Sequence, residues 1–278
     1  MPRHLSGRCV SLGVDYLTVT AREQTRVDLL RAQSFALAEV EMSLGFRGRP
    51  WSMSGYEGFK CGGLEYGERY DGCIVRLHDT PAQSHWRRFY EHCDNCTRID
   101  LQATFNLDQP VTAMLRSHLR EMRLRDRKRK GKPQTALHVS RDGGITIDSG
   151  YRGSDRFLRI YDKGVQSGVV QYLNCIRYEA ELKNRQAQMT AFWLFGLSSE
   201  HSSVALYVLA LSSERGATPG TLSKDFYSTA SRDAPKMPAR LSDDVKAREW
   251  LRKSVRPTVR YLASVDGSDS VRRLLGID

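Results

Sequence analysis

The chain has 278 residues, 40% of them hydrophobic, with 43 Lys and Arg against 32 Asp and Glu, for a formal net charge of +11. That length buries a real core as one large domain or two modest ones, and no apolar run approaches the 20 or so residues of a membrane-spanning helix. The basic excess selects a polyanionic partner, nucleic acid ahead of an anionic membrane surface.

The N-terminal MPRHLSGRCVSLG has no apolar signal core, so no secretion is expected and the six cysteines read as free thiols in a cytoplasm. Gly13–Thr20 alternates as a first strand. Arg22–Met42 has helical spacing, with Leu29, Leu30, Phe35, Ala36, Leu37 and Val40 as its apolar stripe. Gly45–Gly63 is rich in Gly and aromatics and reads as loop and short strands. Gly63–Asp79 is a hairpin around Asp71-Gly72. Pro81–His92 is a short helix, and Thr97–Phe105 the next strand. Cys93-Asp-Asn-Cys96 is a single CxxC near His85 and His92, without the second ligand pair that a zinc site needs.

Pro110 opens a helix, where a missing N–H costs nothing. Val111, Met114, Leu115, His118, Met122 and Arg125 track one of its faces. Its far end, Arg116–Lys132, carries nine cations: Arg116, Arg120, Arg123, Arg125, Arg127, Lys128, Arg129, Lys130 and Lys132. Only Glu121 and Asp126 oppose them. A charge run is commonly a solvated helix end, but one this dense and one-signed reads as a phosphate-contacting arm.

Thr146–Lys163, TIDSGYRGSDRFLRIYDK, reads as two strands joined by a basic turn. Alternation puts Leu158 and Ile160 on one face, with Phe157, Arg159 and Tyr161 on the other. A helix-like Gly164–Gln171 and the strand Cys175–Lys183 follow. Gln186–Leu211 is apolar and helical, Ser212–Pro238 a connection, and Asp243–Leu275 helical again.

Three strands thus show one apolar and one charged face. In a shared sheet the charged face collects Arg98, Asp100, Arg159, Tyr161, Arg177, Glu179 and Glu181. Carboxylates held this close repel unless a cation sits among them, and all-oxygen ligands suit Mg²⁺ or Mn²⁺. Metal, arginines and a tyrosine make up an apparatus for phosphoryl transfer through a covalent Tyr intermediate. The plainer reading is a solvated antiparallel face of paired Arg and Glu.

The chain also repeats a theme. A hairpin, Arg76-Leu-His78-Asp79, a helix and Arg98-Ile-Asp100 are echoed by a hairpin, Arg159-Ile-Tyr161-Asp162, a short helix and Arg177-Tyr-Glu179. The expected fold is α+β: an antiparallel sheet built from two pseudo-repeated hairpin-helix-strand halves, about 13–109 and 110–185, with helices on one face. Residues 1–211 would form the catalytic domain and 212–278 a connection and helical C-terminal region.

At these residues the sequence resembles the replication initiation factor family of rolling-circle plasmids, integrative elements and filamentous phages. The matching stretches are DYLTVT, GLEYGERYDGCIVRLHDTPAQSHWRRFYE, TRIDLQATF, the hairpin ending in Arg-x-Tyr-Asp-Lys-Gly, RYEAELK and WLRKSVRPTVRYL. The resemblance implies a nicking and strand-transfer endonuclease acting at a replication origin, single-stranded or in hairpin form. A Tyr attacks one phosphodiester, leaving a 5′-phosphotyrosine and a free 3′-OH. It implies Asp100, Glu179 and Glu181 as holders of Mg²⁺ or Mn²⁺ and Tyr161 as nucleophile. On the charges themselves, Arg159 and Arg177 are expected to stabilise the transition state, and Lys163 to lower the Tyr pKa or hold the strand end. Host helicase and polymerase would be partners, and a homodimer is compatible. One position departs: the family often has a Tyr two residues after the hairpin's Thr, and here Asp148 stands there while a Tyr appears at Tyr151, the second candidate nucleophile. No His-x-His occurs among the seven histidines, which argues against the His-metal class of initiator. Two rivals follow: a non-enzymatic, sequence-specific DNA-binding protein, a degenerate initiator or repressor, and a metal-dependent nuclease that uses water.

Overall fold

The computed structural model describes residues 7–128, 134–196 and 200–217, all inside one compact unit, Met1–Pro235. Strand β1 (Gly7–Ala21) leads into helix α1 (Gln24–Ser43). Four strands follow, β2 (Arg49–Met53), β3 (Tyr56–Cys61), β4 (Leu64–Arg69) and β5 (Gly72–His78). Helix α2 (Asp79–Glu91), strand β6 (Asn95–Leu107) and helix α3 (Val111–Lys128) come next. Strands β7 (Thr135–Val139), β8 (Ile145–Ser149) and β9 (Arg156–Asp162) lead through short helix α4 (Lys163–Ser167) to β10 (Cys175–Lys183). Helices α5 (Asn184–Phe195) and α6 (Glu200–Glu214) close the described chain. Helix α6 runs through position 211, the expected domain limit, and the expected helix at Asp243–Leu275 lies outside the described residues.

The fold is mixed helix and sheet around one large antiparallel sheet, in the order β2-β3-β4-β5-β1-β6-β10-β9-β8-β7. The chain lays down a central strand (β1), crosses by a helix to the outer edge and works back inward to β5. It then does the same from β6 through α3 to β7 and inward to β10. The register is two-fold about the Leu17–Ile99 pair. Tyr16 faces Asp100 as Arg98 faces Thr18. His78 faces Tyr16 and Arg76 faces Thr18, as Lys183 faces Arg98 and Glu181 faces Asp100. After those strands Asp79 and Asn184 both take a left-handed backbone, φ 51° and 52°, to start α2 and α5. The sequence repeat paired Arg76-Leu-His78-Asp79 with Arg159-Ile-Tyr161-Asp162. The register carries a different correspondence, because β9 abuts β10 directly while β1 stands between β5 and β6.

The hairpin β4–β5 turns where Asp71-Gly72 predicts it. Gly72 has φ 148° and a Cβ there would lie 2.1 Å from the Ala21 carbonyl oxygen, so no side chain fits. The core fills the apolar face: Leu17, Val19, Val75, Leu77, Ile99, Leu101, Leu158, Ile160, Ala180 and Leu182 are all buried. Helix α1 covers part of it, with the half-exposed Phe35 at the margin against Phe59 and Tyr66, and α3 packs through His118 against Tyr178. The buried stripe of α1 is Val27, Leu30, Gln33, Ser34, Leu37, Ala38 and Glu41. Leu29, Phe35 and Val40, assigned to that stripe from their spacing, are 41%, 52% and 51% exposed. Helical phase, counted from Val27 in steps of three and four, decides the face.

Candidate active site

The polar face is closed rather than solvated. Asp100, Gln102, Thr104, Arg177, Glu179 and Glu181 are all buried, where the plainer reading predicts a wet surface. A buried carboxylate needs a partner, and two clusters supply them.

In the first, Asp100 on β6 and Glu181 on β10 are direct cross-strand neighbours. Arg98, two residues before Asp100 and so on the same face, folds over both. Its Nε donates to Asp100 Oδ1 at 2.9 Å, and one terminal nitrogen donates to Asp100 Oδ2 at 2.6 Å and to Glu181 Oε2 at 2.8 Å. Lys183 Nζ holds Glu181 Oε1 at 2.6 Å. The Arg98 guanidinium also lies 4.2 Å from the centroid of the Tyr16 ring, a cation–π contact. Burial, helped by the charges of Glu179 and Glu181, pushes the Asp100 carboxyl up to about 7 against the pull of Arg98.

In the second cluster, two residues along β10, the Tyr161 hydroxyl donates to Glu179 Oε2 at 3.0 Å. Arg159 donates to Glu179 Oε1 at 3.2 Å. Burial raises the Glu179 carboxyl above its ordinary range, and burial together with Glu179 raises the Tyr161 phenol. Arg177, the cross-strand partner of Tyr161, pulls that phenol back down. Arg177 is held by Thr104 Oγ1 at 2.8 Å and by Asp15 Oδ2 at 3.4 Å. Asp15 sits where the β1–β6 register shifts between Val14 and Tyr16; such a bulge re-aims a side chain. Lys163 donates to Gln166, and the cation acting on Tyr161 is Arg177.

The sequence-predicted residues therefore divide. Asp100, Glu179, Glu181, Tyr161, Arg159 and Arg177 come together. Tyr151 does not: it is 52% exposed, in the β8–β9 turn, where its carbonyl accepts from Ser154. Asp148, where the resemblance leads us to expect a Tyr, lies 3.2 Å from His138 Nε2 and 3.6 Å from Arg159 Nε. Arg98, expected on this charged face but given no role there, joins the site, as do Lys183 and Asp15, which the sequence reading did not collect. Alternation places Arg98 and Lys183 on the right face; the bulge that recruits Asp15 leaves no mark in the sequence.

The donor set for a divalent metal is chemically apt: hard carboxylate oxygens, buried, and mutually repelling enough to raise Asp100. In this arrangement Arg98 and Lys183 already hold all four oxygens of the Asp100–Glu181 pair. Among the described residues no three His, Cys, Asp or Glu side chains converge as ready metal ligands. Cys93 and Cys96 are buried thiols, Cys93 pushed up to about 12 by burial, which suits packing rather than metal binding.

Helix α3 presents Val111, Met114, Leu115, His118 and Met122 to the core. Its opposite side carries Arg116, Arg120, Arg123 and Arg127 at intervals of four, three and four, lining one surface hollow with Leu119 and Leu124. Among the described residues none of these four is in an ion pair. Asp126 is spent on the backbone N–H groups of Gln134 and Thr135. Arg125, predicted on the core face, is exposed and lies against the backbone at Gly216. Lys128 is exposed; Arg129, Lys130 and Lys132 lie outside the described residues.

No curated protein sequence matches the chain. Among solved structures it is similar to a rolling circle replication initiator protein from Geobacillus stearothermophilus, with 19% identity, a TM-score of 0.47 and coverage of 72% of this chain and 85% of that one. Residues 94–275 match the family described as replication initiation factor. That span is well over half of the 278 residues and contains both carboxylate clusters, and the chain belongs to the replication initiation factor family.

Proposed function

We propose that the protein initiates rolling-circle replication by nicking origin DNA with Tyr161. The observation that carries this reading is the 3.0 Å hydrogen bond from the Tyr161 hydroxyl to the buried Glu179, a nucleophile beside a base. The Tyr161 oxygen attacks phosphorus, its proton passes to Glu179, and the O3′–P bond breaks, the departing O3′ taking up a proton from water. The products are a 5′-phosphotyrosine and a 3′-OH that a host polymerase, with a helicase opening the duplex, would extend. Arg159 and Arg177 face the reacting phosphate as fixed cations where negative charge builds up. Asp100 and Glu181, with Glu179 beside them, would hold Mg²⁺ or Mn²⁺, which polarises the scissile phosphate when bound. The Arg116–Arg127 stripe grips the DNA backbone without reading sequence. No helix among the described residues is long and apolar enough to cross a membrane.

One observation favours a second reading. Asp148 occupies the place where the family often has a Tyr, so a DNA-binding initiator relic without cleavage is the competing function. The test is incubation of wild type, Tyr161→Phe and Tyr151→Phe with supercoiled and single-stranded DNA carrying the element's own origin, with Mn²⁺. Products are run on a denaturing gel that retains protein–DNA adducts. An adduct lost only in Tyr161→Phe is the expected result. An adduct lost only in Tyr151→Phe moves the nucleophile into the turn. Nicks without an adduct indicate a water-using nuclease, and binding without nicks indicates the relic.

A further inference from the structure

The Asp100–Glu181 pair has no free oxygen. Three of the four are held by Arg98 and the fourth by Lys183, at 2.6–2.9 Å. A guanidinium fork is stiff and always charged, and it matches carboxylate or phosphate oxygens in pairs. The Arg98 side chain is 28% exposed while Asp100 is 4% and Glu181 8% exposed, so the arginine lies on the solvent side of the acids it neutralises. A dication entering between those oxygens would meet the guanidinium at hydrogen-bond distance, where like charges repel, and that repulsion favours exchange.

We propose that Arg98 is the resident counter-ion of the metal site. It fills the place between Asp100 and Glu181 until a divalent ion displaces it, and it then turns outward as a ligand for the DNA phosphate. The inference rests on the metal-site part of the function proposed above. Arg98 also rests on the face of Tyr16, 4.2 Å from the ring centroid, a cation–π contact that does not depend on the acids. Under the two-fold register the images of Asp100 and Glu181 in the first half are Thr18 and Arg76, so the adjacent pair of acids is found in this half, while the buried Glu65 of the first half is a single carboxylate held by Lys60 and Arg76. Metal and substrate then help each other. Metal frees the arginine for phosphate, and phosphate keeps the arginine away from the acids; such coupling is reciprocal.

The test measures Mn²⁺ binding itself, by titration calorimetry and by the resonance signal of free Mn²⁺, on the full chain without DNA. Wild type is compared with Arg98→Gln, which is uncharged but still donates hydrogen bonds, and with Asp100→Asn as the control that loses the site. Arg98→Gln is expected to bind Mn²⁺ at least tenfold more tightly than wild type. In a Tyr161→Phe background, an uncleavable origin oligonucleotide is expected to tighten Mn²⁺ binding severalfold when Arg98 is present and not when it is Gln. Equal or weaker Mn²⁺ binding by a folded Arg98→Gln overturns the proposal while leaving the metal site standing. No Mn²⁺ bound by either protein removes the metal site as well. Should Arg98→Gln fail to fold alone, Mn²⁺ must restore a cooperative melting transition to it, and failure to do so also counts against the exchange.

Discussion

Glu179 is the residue on which the chemistry turns, because Tyr161 is not a preformed phenolate. Burial and the neighbouring carboxylate hold the phenol above its ordinary range, so attack must shed a proton as it proceeds. Glu179 is placed to take it, and its own raised affinity for protons makes it a stronger base than a solvated carboxylate. Glu179→Gln should therefore lower single-turnover nicking by about 10² to 10⁴-fold, the usual reach of a positioned base. Mn²⁺ affinity should change far less than in Asp100→Asn. A Glu179→Gln protein that nicks at the wild-type rate would place the base elsewhere. The acid limb of the wild-type rate profile should lie above the ordinary carboxylate range, since the base works only when ionised, and in the Gln variant's residual activity only the limb set by the metal-holding Asp100 should remain.

At the scale of elements, α3 divides its labour between two faces, and each face has its own measurement. On the core side His118 Nε2 lies 2.7 Å from the Tyr178 hydroxyl, and burial lowers the imidazole to about 4. Above pH 6.5 the ring is neutral folded or unfolded, and it contributes no pH dependence. Below that, the unfolded chain takes up a proton that the folded chain refuses, so stability falls as pH drops from about 6.5 towards 4. The whole window amounts to roughly 3 kcal/mol. Urea unfolding at pH 7.5 and 4.5 should show wild type losing about 2 to 3 kcal/mol more than His118→Gln over that interval. Equal losses would mean that the ring protonates without leaving the core. On the outer side, replacing Arg120, Arg123 and Arg127 by Ala should weaken binding to all DNA sequences alike. The slope of log K against log salt should flatten by about 2 to 3, near one unit per phosphate contact. An unchanged slope would take the stripe out of the interface.

The whole molecule was legible in the sequence wherever a rule acts within one element. Alternation and the Asp71-Gly72 turn placed β4 and β5, and alternation alone gave β10 its limits, Cys175–Lys183. It also put Asp100, Glu179, Glu181 and Tyr161 on one face. What it could not give is which strand lies beside which, since ladder order depends on pairing between residues far apart in the chain. The interposition of β1 between β5 and β6 was therefore invisible, as was the closure of the polar face by Arg98. The register that emerges makes the β1–β6 ladder the seam of the fold, with Leu17 and Ile99, both fully buried, at its two-fold centre. If that seam unites the halves, Leu17→Ala and Ile99→Ala should each cost about 2 to 5 kcal/mol by transfer and cavity terms. Because the two residues are direct partners, the double variant should cost less than the sum, the second truncation enlarging a cavity already made. Urea unfolding followed by both tryptophan fluorescence and far-ultraviolet circular dichroism should keep one coincident transition in all three variants. Two separated transitions in the double variant would mean that each half carries its own cooperative core, and that the carboxylate half can stand without the other.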